Sequence, residues 1–174
     1  MQHEDLSRYI LESTEGVFST MLGLEVTARE PRIAQGNMGP SFGVAALVGL
    51  AGPWIGNGSV DCSATLACTI AGAMLGTEYQ AVNDDVLDAM GEVANMIIGN
   101  VKTSAEAMVG PLDLSIPTVV YGRNFTTRNQ KQNQWTVVPF HCQGEEFQVQ
   151  VMLIPNSSHA AVSEMVPSLQ AVGD

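Results

Sequence analysis

Three polar residues with a regular spacing, Asp88, Glu92 and Asn95, are the first candidates for chemistry in this chain. A helix turns by about 100° per residue, so these positions, four and three residues apart, share one narrow strip of a helix surface. The carboxylate of Glu92 can pair with a cation, and the neutral amide of Asn95 can hold a water molecule. Periodicity alone fits an ordinary solvated helix face equally well, so both interpretations stay open at this point.

Other signatures of catalysis are missing from the sequence. There is no Gly-x-Ser-x-Gly nucleophile motif, no Walker-type phosphate loop and no Gly-x-Gly-x-x-Gly. The histidines and cysteines are too scattered to supply three or four converging ligands, so the sequence predicts no metal site of its own. The odd number of cysteines without a close pair predicts reduced, buried thiols. The histidines are His3, His141 and His159, and the cysteines are Cys62, Cys68 and Cys142.

The strip lies in a long amphipathic segment that is predicted to be a helix. Its apolar residues fall on the side opposite the strip, which is typical of a helix packed along one face, with the strip turned outward. Asn83 or Asp84 is the predicted N-cap, and acidic residues near the start favour the positive end of the helix dipole. Gly110 and Pro111 are predicted to end the helix.

The remaining elements follow from local patterns. Residues 5–22 predict a helix with a buried stripe that includes Met21, and a second helix runs from a cap at Asp61 or Ser63 to Gly76. The strands are predicted over 24–30, 41–50, 54–61, 116–121, 135–142 and 146–154, with 41–50 and 54–61 paired as a hairpin. Residues 31–40 are predicted to be a connection, and 122–134, with Arg123, Arg128 and Lys131, an exposed loop. Alternation along 146–154 predicts one wet face, formed by Gln148, Gln150 and Met152.

The order of helix, strands, two helices and strands predicts an α+β fold. We expect a mostly antiparallel sheet with long helices packed on one face, in a single domain over residues 1–174. The C-terminal tail, residues 155–174, carries no pattern strong enough for an assignment.

Composition excludes several classes of protein. Hydrophobic residues make up 45% of the chain and charged residues 14%, which excludes a disordered chain. The net charge of −11 argues against nucleic acid or an anionic membrane as partner. The first residues lack the basic and apolar regions of a signal peptide, and no apolar stretch is long enough to cross a bilayer, so we expect a cytoplasmic protein.

The motif Asp88-x3-Glu92-x2-Asn95-x21-Pro117 resembles the signature of the chemotaxis phosphatases of the CheC, CheX and FliY family. That signature reads Asp or Ser, then Glu, Asn and a distant Pro at these spacings. Residues 91–100 and 114–120 resemble the CheX type in particular, as do the shorter stretches 20–25 and 144–147.

The resemblance implies a CheC-like fold and a hydrolase that dephosphorylates the aspartyl phosphate of a CheY-type response regulator in two-component signalling. Asn95 and Glu92 would be catalytic, Asn95 by orienting a water and Glu92 by pairing with a lysine of the regulator. Asp88, Glu92 and Gly99 would contact the partner, and Pro117 would be structural. The protein would need no cofactor of its own, because the regulator supplies Mg²⁺, and it would form a homodimer.

The same resemblance implies one site per chain. Family members with two sites repeat the signature in the N-terminal helix, where this chain has Leu11, Glu15 and Phe18, so only the glutamate is kept. Two alternatives remain: a non-catalytic module that binds a response regulator or a flagellar-switch partner, and a structural or ligand-binding α+β domain with a chance match. The intact pair of Glu92 and Asn95 favours the enzyme.

Overall fold

A computed structural model describes residues 1–35, 41–125 and 134–157. The helices are α1 (His3–Val17), which runs into a π-helical turn (Phe18–Leu22), α2 (Ala64–Leu75) and α3 (Asp84–Val109). The strands are β1 (Thr27–Ala28), β2 (Arg32–Gln35), β3 (Ser41–Ala51), β4 (Trp54–Cys62), β5 (Asp113–Leu114), β6 (Thr118–Phe125), β7 (Gln134–Cys142) and β8 (Glu145–Pro155).

The ends of the helices are set by capping residues. The side chains of Ser63 and Asn83 accept hydrogen bonds from backbone N–H groups in the first turns of α2 and α3, at 3.0 and 3.1 Å. Gly23 and Gly76 follow the helical segments with φ of 63° and 68°, a conformation that glycine adopts without a steric penalty. The predicted boundaries of these helices are confirmed because capping is local chemistry.

Eight strands form one sheet in which every described pair is antiparallel. The strand order is β1-β7-β8-β4-β3-β5, with β2 also paired to β7 and β6 also paired to β3. The two long hairpins, β3–β4 and β7–β8, meet where β4 pairs with β8. The predicted hairpin over 41–61 is therefore confirmed.

All three helices pack on one face of this sheet, and α1 also packs against α3. Alternate residues of the four central strands point into this interface, which removes their apolar surface from water. They include Val44, Ala46, Val48, Val60, Val138, Phe140, Phe147 and Val149. The predicted α+β fold with helices on one face is confirmed.

The three cysteines are buried and unpaired, as predicted. Burial raises the pKa of the Cys62 thiol to about 12, so this group stays protonated at neutral pH and is a poor nucleophile.

Several predictions about strands and connections were wrong in part. Arg32–Gln35 is a strand inside the predicted connection 31–40, and β6 continues to Phe125, inside the predicted loop 122–134. The short strand Asp113–Leu114 was not predicted, and only Thr27–Ala28 of the segment 24–30 is a strand. These strands exist because distant partners bond to them, which a local pattern cannot reveal. Residues 36–40 and 126–133, and thus the rest of both connections, lie outside the described residues.

Two predictions about burial were also wrong. Met21 is 57% exposed, because the wider π-helical turn changes the phase of the stripe. Leu22, which the predicted stripe also contained, is buried, and Phe18 is buried in addition. On β8, Gln150 and Met152 are buried, so the predicted wet face is not wet at these positions. The unassigned tail begins with the end of β8, and residues 158–174 lie outside the described part. No helix in the described ranges is long and apolar enough to cross a membrane.

Candidate functional site

The orientation of α3 is fixed by its buried stripe. Eleven of its residues are buried, and they follow the helical period along the side that faces the sheet and α1. They are Val86, Ala89, Met90, Gly91, Val93, Ala94, Ile97, Ile98, Val101, Ala105 and Val109. Because that stripe cannot rotate out of the core without exposing its apolar surface, the opposite side of the helix is held toward solvent.

The strip predicted from the sequence lies on the outer side of α3. Asp88 and Glu92 are exposed, and Asn95 and Gly99 are half-buried at the edge of the core. Within the described ranges, no hydrogen bond or ion pair engages the side chains of Asp88, Glu92 or Asn95. The polar atoms of the half-buried Asn95 side chain are therefore available to a water molecule or a partner.

Residues 112–119, which follow α3, return alongside the helix and form a second wall beside the strip; we call them the returning segment. The Glu106 carboxylate accepts a hydrogen bond from the backbone N–H of Leu112 at 2.8 Å. It also forms an ion pair with Lys102, at a distance of 2.8 Å. These two contacts, led by the Leu112 N–H, lower the pKa of Glu106. The end of α3 is thus tied to the start of the returning segment.

Glycines on α3 allow this segment to come close. A Cβ atom at Gly91 would lie 3.3 Å from Val119 Cγ2, closer than ordinary contacts, and one at Gly99 would lie 3.6 Å from Leu114 Cδ1. Gly91 was not singled out from the sequence. A glycine inside an amphipathic helix next to the signature Glu92 was the only available signal. Gly99 faces Leu114 of its own chain on one side, and its predicted contact with a partner stays a prediction.

The helix and the returning segment enclose two shallow depressions along the strip, each of about 510 Å³. Asp88 and Glu92 line the first, together with Ile116 and Pro117. The second is lined by Asn95 and Gly99, among others. We call these two neighbouring depressions the trough. All four residues of the sequence motif line it: Asp88, Glu92 and Pro117 line the first part, and Asn95 lines the second.

Two larger depressions lie elsewhere, one of about 720 Å³ between α2 and the link that follows it and one of about 740 Å³ between α1 and the segment after Gly23. None of the residues of the motif lines either of them. Size alone would therefore select a different surface from the one that carries the candidate chemistry.

The N-terminal helix presents no equivalent amide. Phe18 is fully buried and stacks on Phe147 with ring centroids 5.0 Å apart, whereas Glu15 is exposed and Leu11 half-buried. An aromatic ring in the core cannot orient a water at the surface. The residues described on α1 therefore offer only the glutamate of the motif, in keeping with one site per chain.

The charge of the trough limits its chemistry. Its first part is lined by the carboxylates of Asp84, Asp88 and Glu92. Of the described residues that line either part, Lys102 is the one cationic side chain, and it is paired with Glu106. The described part of the chain also holds no group of three or more His, Cys, Asp or Glu residues placed to bind a metal ion. The arrangement can attract a cationic surface and hold a water next to it.

Comparison with known proteins identifies relatives over most of the chain. The family model described as "Chemotaxis phosphatase CheX" matches residues 44–141, which include the whole motif. The protein named CheY-P phosphatase CheX from Thermotoga maritima is 27% identical over 110 residues, covering 63% of this chain and 70% of that protein.

Solved structures of CheX proteins share the fold. The chemotaxis protein CheX from Desulfovibrio desulfuricans has a TM-score of 0.74 at 28% identity, covering 86% of this chain and 99% of that one. A chain of the CheX–CheY–BeF3–Mg²⁺ complex from Borrelia burgdorferi has a TM-score of 0.72 at 27% identity, covering 84% of this chain and 96% of that one. Because the family model spans more than half of the sequence, from β3 into β7, this chain belongs to the chemotaxis phosphatase CheX family.

Proposed function

We propose that this protein removes the phosphoryl group from the aspartyl phosphate of a CheY-type response regulator by docking α3 against the regulator's phosphorylation site. The observation that carries the proposal is the pair of outward-facing side chains Glu92 and Asn95, which have no partner within the described residues. Membership of the CheX family supports the substrate, since its Thermotoga maritima relative is named a CheY-P phosphatase and its Borrelia burgdorferi relative is found in a complex with CheY.

In this mechanism the amide of Asn95 holds a water in line with the scissile bond. The water oxygen forms a new bond to phosphorus while the bond between phosphorus and the aspartyl oxygen breaks, which yields inorganic phosphate and a free carboxylate. The regulator supplies Mg²⁺, which would neutralise charge on the phosphoryl oxygens, and the phosphatase positions the attacking water. A neutral amide suits this task because a carboxylate at position 95 would repel the phosphoryl group.

Glu92 acts one turn away by pairing with a cationic group of the regulator. Asp88 and Gly99 lie on the same side of α3 and would contact the regulator on either side of that pair. The acidic first part of the trough fits a partner surface that carries a lysine and a metal ion. The protein needs no cofactor of its own in this mechanism.

The proposal is tested by the decay of a phosphorylated receiver. The receiver is phosphorylated with a small phosphodonor, the donor is removed, and phosphate release is followed with wild type and with Asn95→Ala. Loss of a group that positions the reacting water should lower kcat by about 100-fold or more. Thr69→Ala is the control, since Thr69 is a half-buried polar residue of α2 that lines neither depression of the trough, and it should leave kcat within about twofold.

The outcomes separate the proposal from the non-catalytic alternative. Binding of the phosphorylated receiver without faster phosphate loss would identify a binding module and defeat the enzyme proposal. Faster loss with wild type and with Asn95→Ala alike would leave the activity in place but remove the water-positioning role. Light scattering of the purified protein tests the expected homodimer separately.

A further inference from the structure

Ile116 is the most exposed of the large apolar side chains in the described ranges, at 89%. A single exposed apolar residue needs no explanation by itself. This one lines the first depression of the trough together with Asp88 and Glu92. An apolar group thus stands directly beside the carboxylates that the proposed function assigns to docking.

The backbone around Ile116 is held in place on both sides. The Ser115 hydroxyl accepts a hydrogen bond from the backbone N–H of Gly49 at 2.8 Å and donates one to the carbonyl oxygen of Ile116 at 3.0 Å. The backbone N–H of Ser115 donates to the carbonyl oxygen of Gly49 at 2.9 Å. Pro117 follows with a fixed φ, and its ring lies against α3, since a Cβ atom at Gly91 would be 3.6 Å from Pro117 Cβ.

Such anchoring matters for binding because little conformational freedom remains to be lost at this position. A mobile loop would give up much of the gain from burying an isoleucine in order to become ordered. The fixed segment presents the side chain already in position, at the rim of an acidic surface that has no other large, mostly exposed apolar side chain among the described residues that line it.

We propose that Ile116 is a docking contact that packs on an apolar loop beside the phosphorylation site of the receiver and sets the affinity of the complex. This inference rests on the proposed function and adds a partner contact outside the sequence motif. In open α/β sheets the site lies at the carboxyl ends of the strands and is ringed by loops. When α3 enters that ring, the wall formed by 115–117 meets one of those loops, while Glu92 meets the cationic group.

The experiment compares wild type with Ile116→Ser in receiver dephosphorylation at varied receiver concentration. Full burial of an isoleucine corresponds to about 10–100-fold in affinity, so partial burial should raise KM by about 5–30-fold. The kcat should stay within about twofold, since Asn95 and Glu92 are untouched. Ile116→Leu, which keeps the apolar volume, should restore most of the lost affinity.

Ile33→Ser is the matched control. Ile33 is 51% exposed and lies on β2, which pairs with β7 toward the opposite edge of the sheet from β6. This change should leave KM and kcat unchanged. Both isoleucines are too exposed for their loss to unfold the protein, and equal melting temperatures of the two variants and wild type verify this.

Affinity is also measured without turnover, using the receiver with beryllofluoride and Mg²⁺ bound and the Asn95→Ala protein with and without Ile116→Ser. Unchanged KM and unchanged Kd for Ile116→Ser would overturn the role of Ile116 and leave the phosphatase intact. A wild type that binds but does not hydrolyse would defeat the proposed activity, while the Kd comparison would still decide the role of Ile116. A wild type that neither binds nor hydrolyses overturns both.

Discussion

At the scale of single residues, Glu92 and Asn95 differ in how far water reaches them. Glu92 is exposed, so an ion pair made there is screened and serves to guide and register the partner more than to hold it. Asn95 is half-buried, so fewer positions around its side chain are open to water than around Glu92. The exposed position suits recognition, and the half-buried position, with few places for a water, suits the orientation of a reacting water.

The charge of Glu92 gives a first prediction at this scale. Glu92→Gln should raise KM for the phosphorylated receiver by about two- to fivefold at low salt, with a smaller effect at high salt, because the lost interaction is between charges. Glu92→Lys should raise KM further, because it places like charges opposite each other. The measurement is a series of kinetic runs at increasing ionic strength.

Glu15→Gln is the matched control for that prediction. Glu15 is an exposed glutamate at the equivalent position of α1, where the buried Phe18 replaces the asparagine. If both substitutions raise KM to the same extent, the effect is due to net charge, and the specific pairing assigned to Glu92 is wrong.

At the scale of elements, the trough depends on how the end of α3 is fastened to the segment that returns beside it. Glu106 accepts bonds from both Lys102 and the backbone of Leu112, so one side chain joins the two walls. Without this bond the position of Ile116 and Pro117 would rest on Ser115, on close packing against Gly91 and on the pairing of β5 and β6 with β3.

Glu106→Ala should therefore loosen the start of the returning segment. We expect the backbone amide of Leu112 to exchange with solvent about tenfold faster or more, since it loses its acceptor. Glu92→Ala, on the same helix but without a bond to Leu112, should leave that exchange rate unchanged. The pKa of Glu106 is lowered in the fold, so the ionised Glu106 carboxylate stabilises the fold above the ordinary pKa of 4.5, and this stabilisation fades as the pH falls below that value. If the Leu112 amide were as protected from exchange in Glu106→Ala as in wild type, the hydrogen bond assigned to Glu106 would be wrong.

Elements were predictable from the sequence where local chemistry defines them. The caps at Ser63 and Asn83 and the period of α3 are local, so the helices and the outward direction of the strip could be derived. The edge strand Arg32–Gln35 could not, because only Ala34 among its residues is even half-buried, and its identity comes from the ladder with β7. For the same reason the second wall of the trough was missed: it depends on a bond between Glu106 and Leu112 and on the close approach at Gly91.

At the scale of the whole molecule, the sheet face without the helices carries an acidic group inside a neutral cluster. Ser59 Oγ donates to Asp61 Oδ2 at 2.9 Å, and the Gln150 amide donates to Asp61 Oδ2 at 2.8 Å and to Ser59 Oγ at 2.7 Å. Gln150 Oε1 is buried without a partner within the described residues. No cation joins this described cluster, and burial raises the pKa of Asp61 to about 6 against the opposing effect of these bonds.

This cluster predicts a pH dependence of stability for the whole fold. The pKa of Asp61 is about 6 in the fold and 3.8 in the unfolded chain, so the folded state binds the proton more tightly. The contribution of the protonated Asp61 carboxyl to the free energy of unfolding is therefore complete below pH 3.8 and is lost as the pH rises through 6. Asp61→Asn removes this titration and should be more stable than wild type at pH 7.5 by on the order of 1–3 kcal/mol, with the difference shrinking toward pH 4. Urea unfolding at several pH values measures it, and Asp113→Asn, at an exposed position, is the control for net charge. If the stability of Asp61→Asn followed that of wild type at every pH, the ionised carboxylate of Asp61 would not be a cost to the fold.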